Sequence, residues 1–139
     1  MASTVPFKLI TPVAVKFEGE AELVIAVGTE GEVGILPKHA PFLTALRPGV
    51  LRANVIENGT ARRLELATAE GFMQALPEHI TVLVDQALDP GDVDPELARR
   101  ELAEAQERQK AAGPDLAAHA REQSIIDFAS AKLRVTGRS

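Results

Sequence analysis

Hydrophobic residues alternate with polar residues along the first 87 positions of the chain, with a period of two. Alternation of this kind buries one face of a β-strand and leaves the other face in water. Turn-forming residues separate the alternating sets, and Glu57-Asn58-Gly59-Thr60 has the composition of a two-residue β-hairpin turn. We therefore predict about eight to ten short strands in residues 1–87, arranged as a β-sandwich or a flattened barrel.

Four local features refine the expected strands. Gly19 is expected to separate two strands, and Gly31–Gly34 is expected to form a tight turn. Phe42–Leu46 lies between two prolines and is not expected in a central strand. All five side chains of Leu23–Val27 are apolar. Both faces of this strand are therefore expected to be buried, inside the sandwich or beneath a partner.

The period changes once, at an acidic segment that contains Pro and Gly and covers residues 88–94. Asp94-Pro95 is typical of a helix start, because Asp caps and Pro occupies the first helical position. We predict one helix from about Pro95 to Ala112 and a second from about Asp115 to Val135. The short break between them predicts an antiparallel hairpin in residues 95–139. The expected fold class is an all-β N-terminal sandwich followed by a C-terminal α-helical hairpin.

Each predicted helix carries a stripe of mostly small residues at heptad spacing. The stripes are Ala98, Leu102, Ala105, Gln109 and Ala112 on the first helix, and Ala117, Ala120, Ser124, Phe128, Ala131 and Val135 on the second. Alanine allows close approach of two helices but buries little apolar area, at about 0.8 kcal/mol per CH₂-sized group. Since isolated helices are marginal in water, we expect the hairpin to depend on docking, either on the β-domain alone or alternately there and on another protein.

Composition excludes several classes of function. The chain has 139 residues, no cysteine and a net charge of −5. The missing cysteines exclude thiolate catalysis and thiolate metal sites, and an acidic chain without a basic patch argues against nucleic acid as a partner. The N-terminus has no secretory signal pattern, and no apolar run of about 18 residues is available for membrane insertion.

The sequence offers no recognisable catalytic or cofactor-binding motif. His39, His79 and His119 are far apart and lack the spacing of metal ligands. No nucleophile is paired with a base and an orienting group, and no phosphate-binding loop is present. We therefore expect neither a metal, a cofactor nor a catalytic residue.

One long segment carries a resemblance to a known family. Glu30–Gly49 reads EGEVGILPKHAPFLTALRPG, and it resembles the E-G-E-L-G-I-L-P-x-H-A-P-L-L-T-A-L-x-P-G stretch of the epsilon subunits of F-type ATP synthases. Leu9–Pro12, Glu70–Gln74, Ile80–Val84 and Ala131–Val135 resemble further stretches of that family. The resemblance thus spans nearly the whole chain.

The resemblance implies a ten-stranded sandwich with a helical hairpin and a non-catalytic role in the central stalk. Such a subunit binds the gamma subunit and the loops of the c-ring, and it helps to couple proton flow to ATP synthesis in the beta subunits. The implied location is peripheral, on the cytoplasmic face of the bacterial inner membrane. The candidate partner-binding residues are Glu30, Glu32, His39 and Pro41.

Two of these residues have an implied partner. Glu32 matches an acidic position near the c-ring loops, and the alternative is a solvated turn carboxylate. His39 lies in the stretch near gamma, and the alternative is a histidine that packs within its loop.

In many members of the family the hairpin inhibits ATP hydrolysis. It extends along gamma and places basic residues against an acidic segment of beta, close to alpha. The candidate regulatory residues are Arg99, Arg100, Arg108, Arg121, Lys132 and Arg134, and Arg138 adds a further charge near the C-terminus. Exposed ion pairs contribute about 0–1 kcal/mol each, so several of these residues would have to act together.

Some members bind ATP through an I/L-D-x-x-R-A motif at the start of the first helix. The aligned residues are Val93–Ala98, in which Asp94 and Ala98 are retained and Leu97 replaces the arginine. A leucine lacks the charge-assisted hydrogen bonds that an arginine gives to a phosphate. We therefore expect weak or absent ATP binding by this chain.

Two other interpretations remain open at this stage. One is a stand-alone adaptor in which a ligand-binding β-sandwich carries a helical tail. The absence of Trp and Tyr disfavours the aromatic platform of a carbohydrate binder. The other is a small hydrolase, which the lack of a catalytic constellation disfavours.

Overall fold

The computed structural model describes residues 3–137, which form β-strands as far as residue 88 and helices after it. The nine strands of this range are β1 Val5–Thr11, β2 Ala14–Gly28, β3 Gly31–Ile35, β4 Phe42–Leu46, β5 Gly49–Glu57, β6 Thr60–Thr68, β7 Gly71–Leu76, β8 His79–Val84 and β9 Ala87–Leu88. A 3-10 turn, Pro90–Asp92, precedes the helices α1 Pro95–Ala111 and α2 Leu116–Thr136. The predicted fold class, a sandwich followed by a helical hairpin, is confirmed.

The strands follow the order β1-β8-β7-β4-β2-β5-β6-β9, with β3 beside β2. β1 also pairs with β2, so the sheet curves back on itself into two layers. The pairing of β1 with β8 is parallel, and the other pairings are antiparallel. The inner faces of these layers enclose one apolar core.

Residues 3–137 form nine strands, within the predicted eight to ten and one fewer than the ten that the resemblance implies, because β2 is continuous. The sequence analysis divided β2 at Gly19, but Gly19 lies inside the strand and pairs with Phe7. A Cβ atom at Gly19 would lie 3.0 Å from the ring of Phe17, so the glycine leaves room for that ring. β2 pairs with β1 along its first half and with β3 along its second half, while its pairing with β5 shifts register between Ala21 and Leu23.

The prediction of a tight turn at Gly31–Gly34 is wrong. These residues belong to β3, and the turn consists of Thr29 and Glu30 just before them. Gly31 has a φ of 124°, a conformation that favours glycine, so it closes the turn as the strand begins. The next strand, Phe42–Leu46, pairs along its whole length with β7 but touches β2 at one residue pair only, as expected for a segment between two prolines.

The predicted hairpin turn joins β5 to β6. Asn58 and Gly59 have φ values of 54° and 77°, the positive values that a type I′ turn requires. The flanking residues Glu57 and Thr60 are paired, which fixes the register of both strands. Leu51, Val55 and Leu66 then lie in the core, while the polar residues between them face outward.

Both helices begin at aspartates, as their sequence predicts for α1. The Asp94 carboxylate accepts hydrogen bonds from the backbone N–H groups of Glu96 and Leu97, and Asp115 accepts one from Ala118 N–H. Each aspartate thereby satisfies backbone donors that have no partner within the helix. Neither helix of residues 3–137 has the length and the apolarity that a bilayer-spanning segment needs.

The two helices form an antiparallel hairpin with a seam of alanines. On α1 the buried residues are Ala98 and Ala105, as the predicted stripe requires. On α2 the predicted stripe is wrong at its start, because Ala117 and Ala120 are exposed. A single heptad stripe assumes one neighbour, whereas α2 contacts both α1 and the strands β5 and β6. It therefore buries Ala129, Ala131 and Leu133, which do not share one face.

The hairpin is docked on the outer face of the sandwich. Val24 and Ala26 lie in the core, and Val27 on the opposite face lines a groove with Leu102 and Leu133 of the hairpin. Gly49 makes this possible, because a Cβ atom there would lie 2.6 Å from a methyl group of Val27. Burial of Leu23–Val27 on both faces, predicted from the sequence, is incomplete: Leu23, Ile25 and Val27 are half-buried, and the chain's own helices lie beside Val27.

Replacement of Gly71 tests the close approach of β7 and β8. A Cβ atom at Gly71 would lie 1.9 Å from the Leu83 carbonyl oxygen and 2.7 Å from Val84 Cα, and neither backbone atom can move alone. Gly71→Ala is expected to lower the free energy of unfolding in urea by at least about 2 kcal/mol. Gly91→Ala is the control, since its Cβ would meet no atom within 4 Å. Equal urea midpoints for the two variants would contradict this account.

Candidate partner-binding surfaces

An apolar surface lies on the outer face of strands β4, β7 and β8. Its side chains are Leu43, Phe72 and Leu83, which are 68%, 58% and 45% exposed. Phe72 pairs directly with Leu83 on one side and with Ala45 on the other, and Leu43, two residues before Ala45, lies on the same face diagonally from Phe72. We call Leu43, Phe72 and Leu83 the apolar outer face. Contiguous apolar side chains in water are typical of a protein–protein contact.

Sequence reasoning missed the apolar outer face, although the signal was present. Ile80, Val82 and Val84 are the inward-facing residues of β8 and are buried. With a period of two, Leu83 must then point outward. The same holds for Phe72 beside the buried Met73. Two apolar residues in succession within a strand thus indicate an apolar residue on the outside.

The segment that carries Glu30, Glu32, His39 and Pro41 does not bring these residues to one place. Glu30 is exposed in the turn between β2 and β3, and Pro41 is exposed just before β4. His39 lies near the start of β4, with its ring 6.0 Å from the ring of Phe42. Its Nδ1 is 2.6 Å from the Ala40 carbonyl oxygen, so this nitrogen carries a proton and donates it.

Glu32 lies on β3 and is held by an arginine from β5. Arg52 Nη2 donates a hydrogen bond to Glu32 Oε2 over 2.8 Å. The two side chains reach across β2, because Glu32 pairs with Val27 and Arg52 pairs with Ile25 on the same face. Glu32 also lines the groove beside the docked hairpin, together with Arg47 and Arg134. The sequence analysis identified neither Arg47 nor Arg52.

The candidate regulatory residues fall into two groups in the docked hairpin. Arg99 pairs with Glu96 on its own helix, whereas Arg108 and Lys132 pair across the seam with Glu122 and Glu101. The second group consists of Arg100, Arg121 and Arg134, which are exposed and take part in none of the ion pairs found within residues 3–137. Arg138 lies outside the described residues.

The residues retained from the nucleotide motif have structural roles in this fold. Asp94 is the N-cap of α1, and Ala98 is buried in the alanine seam. Leu97, which replaces the motif's arginine, is partly exposed. Elsewhere in the part of the chain that the structure describes, no cluster of three His, Asp or Glu residues is arranged to hold a metal ion.

Comparison with known proteins connects both parts of the chain to one family. Residues 4–90 match the family described as "ATP synthase, Delta/Epsilon chain, beta-sandwich domain". A protein of Chromobacterium violaceum, named ATP synthase epsilon chain, is 39% identical over 85% of this chain and 82% of its own length. A protein of the same name from Moorella thermoacetica is 36% identical over 94% of both chains.

Two solved structures share the fold. A chain of the Euglena gracilis mitochondrial ATP synthase, in a complex described as OSCP/F1/c-ring, matches with a TM-score of 0.76 and 19% identity over 94% of this chain and 79% of that one. A chain of the Tetrahymena thermophila mitochondrial ATP synthase, described as central stalk and c-ring, matches with a TM-score of 0.59 and 18% identity over 94% and 97%. At these identities the likeness concerns the fold.

Proposed function

We propose, from the premise that the chain belongs to the ATP synthase epsilon-chain family, that it is a non-catalytic rotor subunit of an F-type ATP synthase. The observation that carries the proposal is the match to the Moorella protein over 94% of both chains, because it includes the hairpin as well as the sandwich. In this role the chain helps to couple rotation of the c-ring to ATP synthesis through gamma. It is peripheral to the membrane, on the cytoplasmic face of the bacterial inner membrane.

The apolar outer face is the proposed attachment to the gamma subunit. Phe72 and Leu83 lie on a rigid pair of strands, so they lose little conformational freedom when a partner covers them. The hairpin docks against β5 and β6, which leaves the apolar outer face on β4, β7 and β8 available at the same time. Attachment through this face is therefore compatible with either position of the hairpin.

Glu32 is the proposed contact to the c-ring loops. Its carboxylate is more than half exposed on the edge strand β3, and the ion pair with Arg52 limits the directions in which it points. An exposed pair of this kind contributes little to stability. The proposed role of the Arg52–Glu32 pair is to orient the Glu32 carboxylate toward the c-ring loops. Glu30 in the adjacent turn is a second acidic group.

The proposed role of the hairpin is to restrain ATP hydrolysis after it leaves the sandwich and extends along gamma toward beta and alpha. Arg100, Arg121 and Arg134 are exposed on the hairpin and could meet an acidic surface of another subunit. Arg108 and Lys132 are engaged within the docked hairpin and would have to exchange partners first.

We also propose that ATP binding by the chain is weak or absent. Asp94 is occupied as a helix cap, and Leu97 supplies no charge where the family's motif has an arginine. Calorimetric titration of the full-length chain with ATP measures this directly, and micromolar binding would reject it.

Attachment through the apolar outer face is tested by co-purification of the tagged chain with the other ATP synthase subunits. The double variant Phe72→Ser with Leu83→Ser is expected to weaken association with gamma at least about 30-fold, because truncating a buried interface anchor costs about 2 kcal/mol or more. Leu116→Ser, which changes an exposed leucine on α2, is the matched control and should co-purify normally. Normal recovery of gamma with the double variant would reject this attachment.

Inhibition by the hairpin is tested with a chain that lacks residues 92–139. The assembled enzyme containing this shortened chain is expected to hydrolyse ATP faster than the enzyme with the full-length chain, while the sandwich still supports assembly. The ATPase rate is measured at equal amounts of assembled complex. An unchanged rate would remove the inhibitory role and leave the rotor role standing.

A further inference from the structure

Lys132 lies where the two helices meet the sandwich. Its ammonium group donates a hydrogen bond to Glu101 Oε1 on α1 over 2.9 Å. The same group lies 4.6 Å from the centroid of the Phe128 ring, which is one turn earlier on α2. Lys132 and Phe128 also line a groove with Pro48 and Ala69 of the sandwich. We call Glu101, Phe128 and Lys132 the Lys132 clamp.

Burial separates Lys132 from the other paired cations of the hairpin. Its side chain is 15% exposed, whereas that of Arg108, which also pairs across the seam, is 51% exposed. The side chain of Lys110, paired on its own helix, is 76% exposed. A lysine side chain buried to this extent depends more than an exposed one on its carboxylate and on the ring face beside it. The pair with Glu101 should therefore matter more than an exposed pair.

The clamp is important because the apolar seam is thin. Ala98 and Ala105 are the buried residues of α1, and each contributes a single methyl group. Around them the helices are joined by polar contacts: Gln109 Nε2 donates to the His119 carbonyl oxygen and to Gln123 Oε1. The clamp adds a charge-assisted hydrogen bond across the seam, from Lys132 on α2 to Glu101 on α1, and a cation–π contact within α2 holds the ammonium group beside Phe128.

We infer that Lys132 is the residue that holds α1 and α2 together in the docked hairpin. While the clamp is formed, the positive charge of Lys132 is used inside the chain and is withdrawn from other proteins. Opening of the hairpin separates Lys132 from Glu101 and frees this charge. This regulatory consequence rests on the proposed function, but the clamp itself is a property of the chain alone.

The clamp is tested by amide hydrogen exchange of the isolated full-length chain, which detects rare opening of a segment. Lys132→Met removes the charge and keeps most of the stem that packs on Phe128. It is expected to speed exchange in α1 and α2 by about three- to tenfold, as expected for loss of one hydrogen-bonded ion pair that is partly exposed. Exchange in β5 should not change, because opening of the hairpin leaves the sandwich folded. Lys110→Met is the matched control and should exchange like the unmodified chain.

A second variant, Glu101→Gln, addresses the same pair from α1. Lys132→Met, Glu101→Gln and the double variant form a double-mutant cycle. Each single variant already removes the contact between the two side chains, so the second substitution has no contact left to remove. The double variant is therefore expected to exchange no faster than the faster of the two single variants. Additive effects would overturn the clamp, as would equal hairpin exchange in Lys132→Met and Lys110→Met.

The outcome can be distinguished from that of the proposed function. Hydrogen exchange on the isolated chain reports the clamp without any other subunit. The ATPase rate of the complex whose shortened chain lacks residues 92–139 reports inhibition by the hairpin, and this rate does not depend on the clamp. If hydrogen exchange shows the Lys132 clamp but the ATPase rate is unchanged, the clamp is confirmed and the inhibitory role is rejected.

Discussion

The contact between the two helices is built on alanine, and this constraint governs the rest of the hairpin. Ala98 and Ala105 let the helix axes come close, but their methyl groups bury little area. Close axes bring the polar side chains at the edges of the seam within reach of one another, so Arg108 meets Glu122 and Lys132 meets Glu101. The same choice of residue thus weakens the apolar contact and makes the polar contacts possible.

The sandwich has two outer faces in different surroundings. Strands β5 and β6 carry the docked helix α2, while strands β4, β7 and β8 leave Phe72 and Leu83 in water. Because β2 runs through both layers, the two faces belong to one rigid body. A permanent attachment on one face and a reversible one on the other can therefore coexist without rearrangement of the core.

Much of the fold could be predicted from local patterns. The alternation, the Asn58-Gly59 turn and the Asp94 cap are governed by neighbours in sequence, and the structure has all three. The division of β2 at Gly19 and the α2 stripe were wrong, because the continuity of β2 and the double contact of α2 depend on distant residues. The turn at Gly31–Gly34 was misplaced by two residues, since glycine is compatible with a turn and with an edge strand.

The candidate site was predictable only in part. A pattern can show that Leu83 points outward, but it cannot show that Phe72 lies beside it, since that depends on the register of β7 against β8. The pairing of Lys132 with Glu101, 31 residues apart, depends on how the hairpin closes. The family resemblance supplied candidate residues such as Glu32, and the fold adds Arg52 as the side chain that orients it.

The central claim is that the hairpin folds because it is docked, and circular dichroism of residues 92–139 prepared without the sandwich tests it most directly. The account predicts that this fragment loses most of the helical signal that the same residues contribute in the full-length chain, because the alanine seam and exposed ion pairs cannot sustain two short helices in water. A fragment that keeps the full helical signal and unfolds cooperatively at the temperature of the intact chain would contradict it.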